Sequence, residues 1–520
     1  MSPLAASGTP GEVGFRTLPE ALRQWGRARS GERALSEGEE ELGYGDLAVL
    51  VEEAAERLAG AGVRPGNRVA LLGPNSVEWV ILFLAGLRLG AILVPLNIRL
   101  GPLELRRQLD LSGPRVLLAA EELTPLVERV APPDQVGVFI LERGTADPRS
   151  FWRRPRARSR EPAFPVAAPA LIAFTSGTTG LPKGAVIEHG ALVRSASAFV
   201  PRLETSSTDT TLVLVPLFHN TGFVDQLSQM VVVGGALDLL REFHVSAAID
   251  ALARRPATYL IAVPSIFRLL MLHERADDAF RHCRVATYGG ASMPAAWIAE
   301  LAGRWPELQL FNCYGLTEFT SVSHLLDPEY ALARGSSVGR PVDGVRHRIV
   351  GEVGRPLPPG EVGEVWLAGP MRMAGYWRSP AATRNVLRGE WLRTGDLGSI
   401  EGDFLSVLGR SADVINRGGE KIHVAGVEAA LSELPAVAEA AVVGAPHPIF
   451  HERVVAWVVA RPGADFDEDV ARRHLAERIA DYAVPEAFVA AVELPRNAAG
   501  KLDRVELRAE TARRFPGDDR

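Results

Sequence analysis

Short apolar runs recur along the first part of the chain: RVALLG (68–73), GAILVPL (90–96), RVLLAA (115–120), GVFIL (137–141), ALIAFTS (170–176), TLVLVPL (211–217), TYLIAVP (258–264) and RVATYGG (284–290). Runs of this length, rich in Val, Ile and Leu and bounded by Gly or Pro, predict buried strands. Between them lie stretches with helical periodicity, such as LAVLVEEAAERLAGAG (47–62). Strands that alternate with helices predict an α/β protein with largely parallel sheets, because parallel neighbours need a crossover and a helix usually supplies it. The longest apolar stretch, VILFLAGLRLGAILVPL (80–96), is interrupted by Arg88 and Pro95. It predicts a buried helix followed by a strand, not a membrane span.

The pattern breaks twice. Residues 143–169 are rich in Arg and Pro and lack periodicity, which predicts a surface connection between sub-domains. After Trp366, short strands and Gly-rich turns take over, and near GRSADV (409–414) the order changes to helix (GVEAALSEL), strand (EAAVVGAP), strand (RVVAWVVA), helix (EDVARRHLAERIA) and strand (AFVAAVEL). The expected organisation is a large multi-subdomain N-terminal α/β domain over 1–409 and a small C-terminal α+β domain over 410–520. A chain of 520 residues is too long for one core in any case.

Composition narrows the function. With 47% hydrophobic and 23% charged residues the balance is that of an ordinary globular protein. A net charge of −6 argues against a nucleic-acid partner. Two cysteines, Cys283 and Cys313, are too few for a disulfide framework and point to a reducing compartment. The N-terminus has neither the basic nor the apolar region of a signal peptide. The expected location is the cytoplasm.

Lysine use is the sharpest local signal. The chain holds 57 Lys plus Arg, yet only Lys183, Lys421 and Lys501 are lysine. Lys183 closes TSGTTGLPKGA (175–185), directly after an apolar strand. Small residues let backbone N–H groups turn inward as an anion nest. Thr175, Ser176, Thr178 and Thr179 add hydroxyl donors, and Gly177, Gly180 and Gly184 permit close approach. A lysine ammonium beside such a nest suits a phosphate oxygen. The spacing is not that of a Walker A loop, since Lys183 is followed by Gly184 rather than Ser or Thr. The competing reading is a plain Gly/Ser/Thr surface loop.

TSGTTGLPKG resembles the phosphate loop of the adenylate-forming superfamily, which includes acyl-CoA synthetases and peptide-synthetase adenylation domains. The resemblance continues in order through PLFHNTG (216–222), YGGASMP (288–294), YGLTE (314–318), GEVGEVWLAGPMRMAGYW (ending at Trp377), WLRTGD (391–396), GRSADVINRGGEKIHVAGVE (409–428) and LPRNAAGKLDR (494–504), with a weaker YGDL at 44–47. It implies a mobile C-terminal domain and activation of a carboxylic acid with ATP and Mg²⁺ to an acyl-adenylate. In the CoA-ligase branch, coenzyme A then displaces AMP.

The resemblance also implies roles. Glu318 matches the glutamate associated with Mg²⁺, Thr317 the residue on the α-phosphate, and Tyr314 the ring on adenine. Gly289, Gly290 and Ala291 match the wall between adenine and acyl group. Asp396 matches the carboxylate on the ribose, with Arg410 in its neighbourhood. His219 matches a residue between the acyl pocket and the thiol path. Gly418 and Gly419 match the pantetheine channel, Lys421 the loop of the thiol step, and Lys501 the lysine of the adenylation step. The acid pocket is expected from Asn220, Thr221, Gly222, Asp225, Gly289, Gly290, Asn312 and Gly315. Small and polar walls fit a large or partly oxygenated acid, polycyclic or aryl.

Two alternatives stand beside the acyl-CoA synthetase. One is a free-standing adenylation enzyme that loads a carrier protein; no carrier domain follows Lys501. The other is a non-catalytic nucleotide-binding relative, which the three lysines, Glu318 and Asp396 argue against. LFHNTG lacks the aspartate with which amino-acid-activating relatives hold the substrate amine, which favours a plain carboxylic acid. A homodimer and a partner enzyme that supplies the adenylate are both compatible with the sequence. One departure is notable: two residues after the arginine of the Gly409–Arg410 pair the family commonly carries Asp or Lys as a hinge, and here Arg410 is followed by Ser411, Ala412 and then Asp413.

Overall fold

The computed structural model describes residues 14–516 except 146, 148, 160, 161, 163, 164, 176–181, 292, 352, 353, 411, 412, 418, 419, 448, 449, 480, 498 and 499. The chain forms two compact units, 1–347 with 367–392, and 348–366 with 393–520.

The apolar runs of the first unit become the strands of two sheets. One sheet has the order Gly375–Tyr376, Lys183–Glu188, Pro169–Thr175, Ile92–Pro95, Arg68–Leu72, Val116–Ala119, Gly137–Ile140. Its last five strands are parallel, and the first two are antiparallel. The other has the order Arg340–Pro341, Ser321–Leu326, Gln309–Leu316, Val285–Gly289, Tyr259–Ala262, Thr210–Val213, Ala236–Leu239, Arg33–Glu37, Glu40–Gly43. Its centre is parallel and both edges are antiparallel. Strands such as Ile92–Pro95 and Tyr259–Ala262 are buried at every position, which is why they read as unbroken apolar runs.

The stretch 80–96 is a buried helix, Val77–Leu89, followed by a strand. Ser76 caps the helix by accepting from the Trp79 N–H, and Gly90 ends it at φ +73°, a left-handed cap that glycine adopts without steric cost. Trp79 stacks on Phe83 at 5.2 Å, and Phe83 meets Phe223 at 6.0 Å. Removing a ring from such a shell costs about 3–5 kcal/mol. Arg88 is buried but paired with Glu52 and Ser159. In the 143–169 connection, Arg156 pairs with Glu53 and Glu56 of helix Tyr44–Gly60.

In the second unit, strands Val414–Arg417, Glu420–His423, Val437–His447, His451–Ala460 and Ala487–Ala491 share one sheet. Helices Val424–Ser432, Glu468–Ala476 and Arg504–Arg514 complete it; the order from Val424 to Ala491 is the expected one, while strands Val414–Arg417 and Glu420–His423 and helix Arg504–Arg514 are additions. Ile415, Val427, Leu431, Val442, Val454 and Leu475 form its core. The same unit takes in strand Trp391–Glu401 from Arg393 onward, and its Asp396–Glu401 segment pairs with Phe404–Arg410. Among the described residues no helix is long and apolar enough to cross a membrane. Cys283 and Cys313 are both buried free thiols.

Candidate active site

The strand that opens the phosphate-loop motif ends at Thr175, and the strand that follows begins at Lys183. The two residues are register partners, and the Thr175 hydroxyl donates to the Lys183 carbonyl at 3.4 Å. Ser176, Gly177, Thr178, Thr179 and Gly180 lie outside the described residues. Gly184 is needed for packing: a Cβ there would lie 2.5 Å from Ile172 Cγ2, and its carbonyl accepts from the Trp377 N–H at 2.7 Å. Strand Gly375–Tyr376 pairs with the Lys183 strand. This brings the Tyr376 ring to 5.7 Å from the Lys183 ammonium, a cation–π distance. The Tyr376 hydroxyl donates to Glu318 Oε1 at 2.8 Å.

Glu318 and Thr317 sit on a single 3-10 turn, Thr317–Phe319, at the end of strand Gln309–Leu316. The Glu318 carbonyl accepts from the Met373 N–H at 2.9 Å. Tyr314 lies three residues before Thr317 on the strand, its ring 5.9 Å from His324. Gly315 is the one position in YGLTE where no side chain fits, since a Cβ would lie 1.8 Å from the Ser321 carbonyl oxygen. Gly289 ends the adjacent strand opposite Cys313, whose Sγ would lie 2.4 Å from an added Cβ. Gly290 has φ +76°, where an added Cβ would make only an ordinary contact with Val263 Cγ1 at 3.7 Å, and Ala291 is exposed. The Asn312 amide donates to the Ser337 carbonyl at 3.0 Å.

The PLFHNTG segment is pinned from below by Asn75. Its amide donates to the carbonyls of Val215 and Leu240 and its carbonyl accepts from the Leu217 N–H. That single buried side chain ties the ends of strands Arg68–Leu72, Thr210–Val213 and Ala236–Leu239 together. His219 follows, half-buried, its ring against Phe218 at 4.7 Å. The next residues, Thr221–Ser228, form a π-helix rather than an α-helix, a rare geometry that is frequent at functional sites. Gly222 is obligatory in it: a Cβ would lie 2.5 Å from the Pro216 carbonyl oxygen. The Asn220 amide nitrogen has no hydrogen-bond partner among the described residues. Asp225 is fully buried, and its Oδ2 accepts from the Ser321 hydroxyl at 2.6 Å. Burial pushes its carboxyl up to about 8, against the opposing effect of the Ser321 bond.

The remaining candidates belong to the second unit. Asp396 is buried on strand Trp391–Glu401, directly opposite Arg410, and its N–H donates to Thr394 Oγ1 at 3.0 Å. Thr394 in turn donates to the Val365 carbonyl, so the backbone that carries the carboxylate is fixed. The backbone of Lys421 pairs antiparallel with that of Asn416; Gly418 and Gly419 lie outside the described residues. Lys501 is exposed on a tight turn: its N–H donates to Asn497 Oδ1 at 3.1 Å, its carbonyl accepts from the Asn497 N–H at 2.8 Å, and Gly500 supplies φ +75°. Helix Arg504–Arg514 starts directly behind it, capped by Asp503. Arg504 donates to Glu428 at 2.8 Å, and Arg508 to Asp413 at 2.5 Å.

Among the described residues, no cluster of three or more His, Cys, Asp or Glu forms a metal cage. A lone carboxylate such as Glu318 fits Mg²⁺ nonetheless, because that ion commonly takes one or two carboxylates and completes its shell with water and substrate phosphate. Glu318 has hard oxygen donors, one of them oriented by Tyr376.

The structure thus brings Thr175, Lys183, Thr317 and Glu318 into one unit, with Tyr376 touching both charged side chains. It puts Asp396, Arg410, Lys421 and Lys501 in the other. Sequence reasoning singled out neither Asn75, Tyr376 nor Ser321. Tyr376 lies inside a quoted motif, and that was its only signal.

Two family models match the chain: AMP-binding enzyme over residues 22–377 and AMP-binding enzyme C-terminal domain over 426–501. A feruloyl-CoA synthase of Amycolatopsis sp is 34% identical over 488 residues, covering 93% of this chain and 96% of that protein. An indoleacetate–CoA ligase of Aromatoleum aromaticum is 34% identical over 506 residues, covering 96% and 98%. The o-succinylbenzoate CoA synthetase of Bacillus subtilis, solved with its acyl-adenylate intermediate, is 30% identical with a TM-score of 0.84, covering 94% of this chain and 98% of that one.

Proposed function

The chain belongs to the AMP-binding enzyme family, and from that premise we propose that it is an AMP-forming acid–thiol ligase that converts an aryl or partly oxygenated carboxylic acid to its CoA thioester. In the first half-reaction a carboxylate oxygen of the acid attacks the α-phosphorus of ATP, and the bond to the β-phosphate breaks with loss of pyrophosphate. In the second, the CoA sulfur attacks the acyl carbon, the bond to the AMP oxygen breaks, and the thiol proton is released.

The observation that carries this reading is the grouping of Lys183 and Glu318 on the two sides of Tyr376. Both half-reactions build or move charge on phosphoryl and carbonyl oxygens, so fixed cations and donors are the tools required. Lys183 and the hydroxyls from Thr175 to Thr179 serve the β- and γ-phosphates. Thr317 serves the α-phosphate, and Tyr314, Gly289, Gly290 and Ala291 the adenine. Glu318 would hold Mg²⁺, which neutralises phosphate charge when bound. Asp396 accepts from the ribose hydroxyls, since a buried carboxylate is an acceptor for two donors. Lys501 serves adenylate formation; Lys421, Gly418 and Gly419 serve the thiol step, and His219 lies on the thiol path. Arg410 serves the nucleotide beside Asp396, and Ala412 stands at the hinge between the two working orientations, with the domain boundary at 409–410.

An aryl acid is supported by the polar residues expected at the acid pocket, Asn220, Thr221, Asp225 and Asn312, and by relatives named for aryl acids. The protein acts in the cytoplasm, with CoA rather than a carrier protein as acceptor. The test is a panel of aryl acids, ferulate and indoleacetate included, with pyrophosphate release and thioester formation measured separately. Acid-dependent pyrophosphate release followed by CoA thioester is expected. Release without thioester, but with loading of a phosphopantetheine carrier, would replace CoA as the acceptor. No acid-dependent release would overturn the ligase reading.

A further inference from the structure

The turn that follows Glu318 is held in a backbone conformation that side chains rarely adopt. Thr320 has φ +54° and Ser321 φ +94°, both in the region that favours glycine. Both residues are buried. Strain of this kind persists only where the surroundings over-determine it, and here three hydrogen bonds from three elements do so. Ser195 donates to the Thr320 carbonyl at 2.5 Å, the Thr320 hydroxyl donates to the Met371 carbonyl at 2.6 Å, and the Ser321 hydroxyl donates to Asp225 Oδ2 at 2.6 Å.

The third bond is unlike the others. Its acceptor is a buried carboxyl with no cation paired to it among the described residues, and its other oxygen, Oδ1, has no hydrogen-bond partner there. A backbone carbonyl could accept from Ser321 without burying an ionisable group, which is costly. Asp225 also stands on the π-helix Thr221–Ser228, the element expected to line the acid pocket. The Ser321 carbonyl, in turn, is pressed so close to Gly315 that only a missing side chain allows it. The start of the segment from Gly315 to Glu318 therefore depends on how Ser321 is held, and its end is closed by the Thr320 N–H, which donates to the Thr317 carbonyl at 3.1 Å.

We propose that Asp225 is a positioning residue for the nucleotide half of the site: by accepting the Ser321 hydroxyl it locks the strained turn, sets Thr317 and Glu318 for MgATP, and mechanically joins the acid-pocket helix to them. The roles of Thr317 and Glu318 in this statement rest on the ligase reading above. Burial favours the protonated carboxyl, which accepts from Ser321 without needing a counter-ion.

The experiment is calorimetric titration of the full chain with MgATP alone, which needs no acid substrate. Ser321→Ala removes the hydroxyl but keeps the Cβ that resists positive φ; Ser321→Gly removes both. The expected result is MgATP binding weakened about 10-fold in Ser321→Ala and in Asp225→Ala, with most of the loss recovered by Ser321→Gly alone or added to Asp225→Ala. Asp225→Asn, which keeps an acceptor, should also recover it. The proposal is overturned if the alanine and glycine variants of Ser321 bind MgATP alike. It is also overturned if glycine fails to rescue Asp225→Ala. Should Asp225→Ala not fold, the Ser321 pair decides alone. A parent that binds MgATP but releases no pyrophosphate with any acid would sink the ligase reading and leave this comparison intact.

Discussion

The hydroxyl of Tyr376 donates to Glu318 at 2.8 Å while its ring faces the Lys183 ammonium at 5.7 Å. One side chain thus spaces the cation of the phosphate loop from the carboxylate expected to hold Mg²⁺. Tyr376→Phe keeps the ring and removes the donor. A hydrogen bond to a charged group contributes about 1.5–3 kcal/mol, so kcat/KM for ATP in pyrophosphate release should fall roughly 10-fold or more. Thioester formation from a supplied acyl-adenylate should change far less. Steady-state kinetics with each substrate varied will check this; equal losses in both half-reactions would remove Tyr376 from the nucleotide site.

Lys501 stands on a turn fixed by Asn497 and Gly500. A flexible stem with a point charge suits a role confined to one step, where an arginine fork would demand another geometry. Lys501→Ala should lower adenylate formation about 10²–10³-fold, the scale of one lost transition-state donor. Thioester formation from supplied adenylate should survive. Single-turnover assays of each half-reaction distinguish this from general damage.

At the expected hinge, Ala412 offers no polar group, and the carboxylate of neighbouring Asp413 is already engaged by Arg508 at 2.5 Å and Arg504 at 3.6 Å. Asp413 is therefore committed to helix Arg504–Arg514 within its own unit. Hinges absorb large φ/ψ changes, and a polar side chain there favours one orientation over another. Ala412→Asp should change the ratio of the two half-reaction rates about threefold or more while melting temperature stays put. An unchanged ratio, with both steps fast in the parent, would show that this position does not set the balance.

Asp225 also makes a pH prediction. Its carboxyl is raised to about 8 by burial, far above the roughly 3.9 of an unfolded aspartate. Between those values the folded chain holds a proton that the unfolded chain has lost, so this group's contribution to stability falls as pH rises from about 4 to about 8. The neighbouring Cys313 and Tyr259 are raised too, first by burial and then by Asp225's charge, and stay neutral in that range. His189 acts oppositely: burial lowers it to about 4, so its contribution grows with pH up to about 6.5. Denaturant melts of parent and Asp225→Asn isolate the aspartate. The Asn variant should gain stability relative to the parent as pH goes from 5 to 8, and a pH-independent difference would contradict a buried neutral carboxyl.

The order of residues determined the apolar strands, the buried helix after Ser76 and the helix–strand–strand–helix–strand order between Val424 and Ala491, because buried parallel strands write themselves as continuous apolar runs and caps lie next to the helices they stop. It also singled out Thr175, Lys183, Glu318 and Asp396 as candidates, because the motifs that carry them are short and contiguous. It gave no sign that the second compact unit takes in residues 348–366. Nor did it single out Asn75, which reaches 142 residues along the chain to Leu217, Tyr376, which reaches 58 back to Glu318, or Ser321, which reaches 96 back to Asp225. Thr320 and Ser321 adopt positive φ without the glycine that would announce it. Hydrogen bonds between side chains so far apart leave no period and no neighbour in the sequence. Only the packing of the sheets and the π-helix sets them within reach, and that packing decided which residues hold the candidate site in shape.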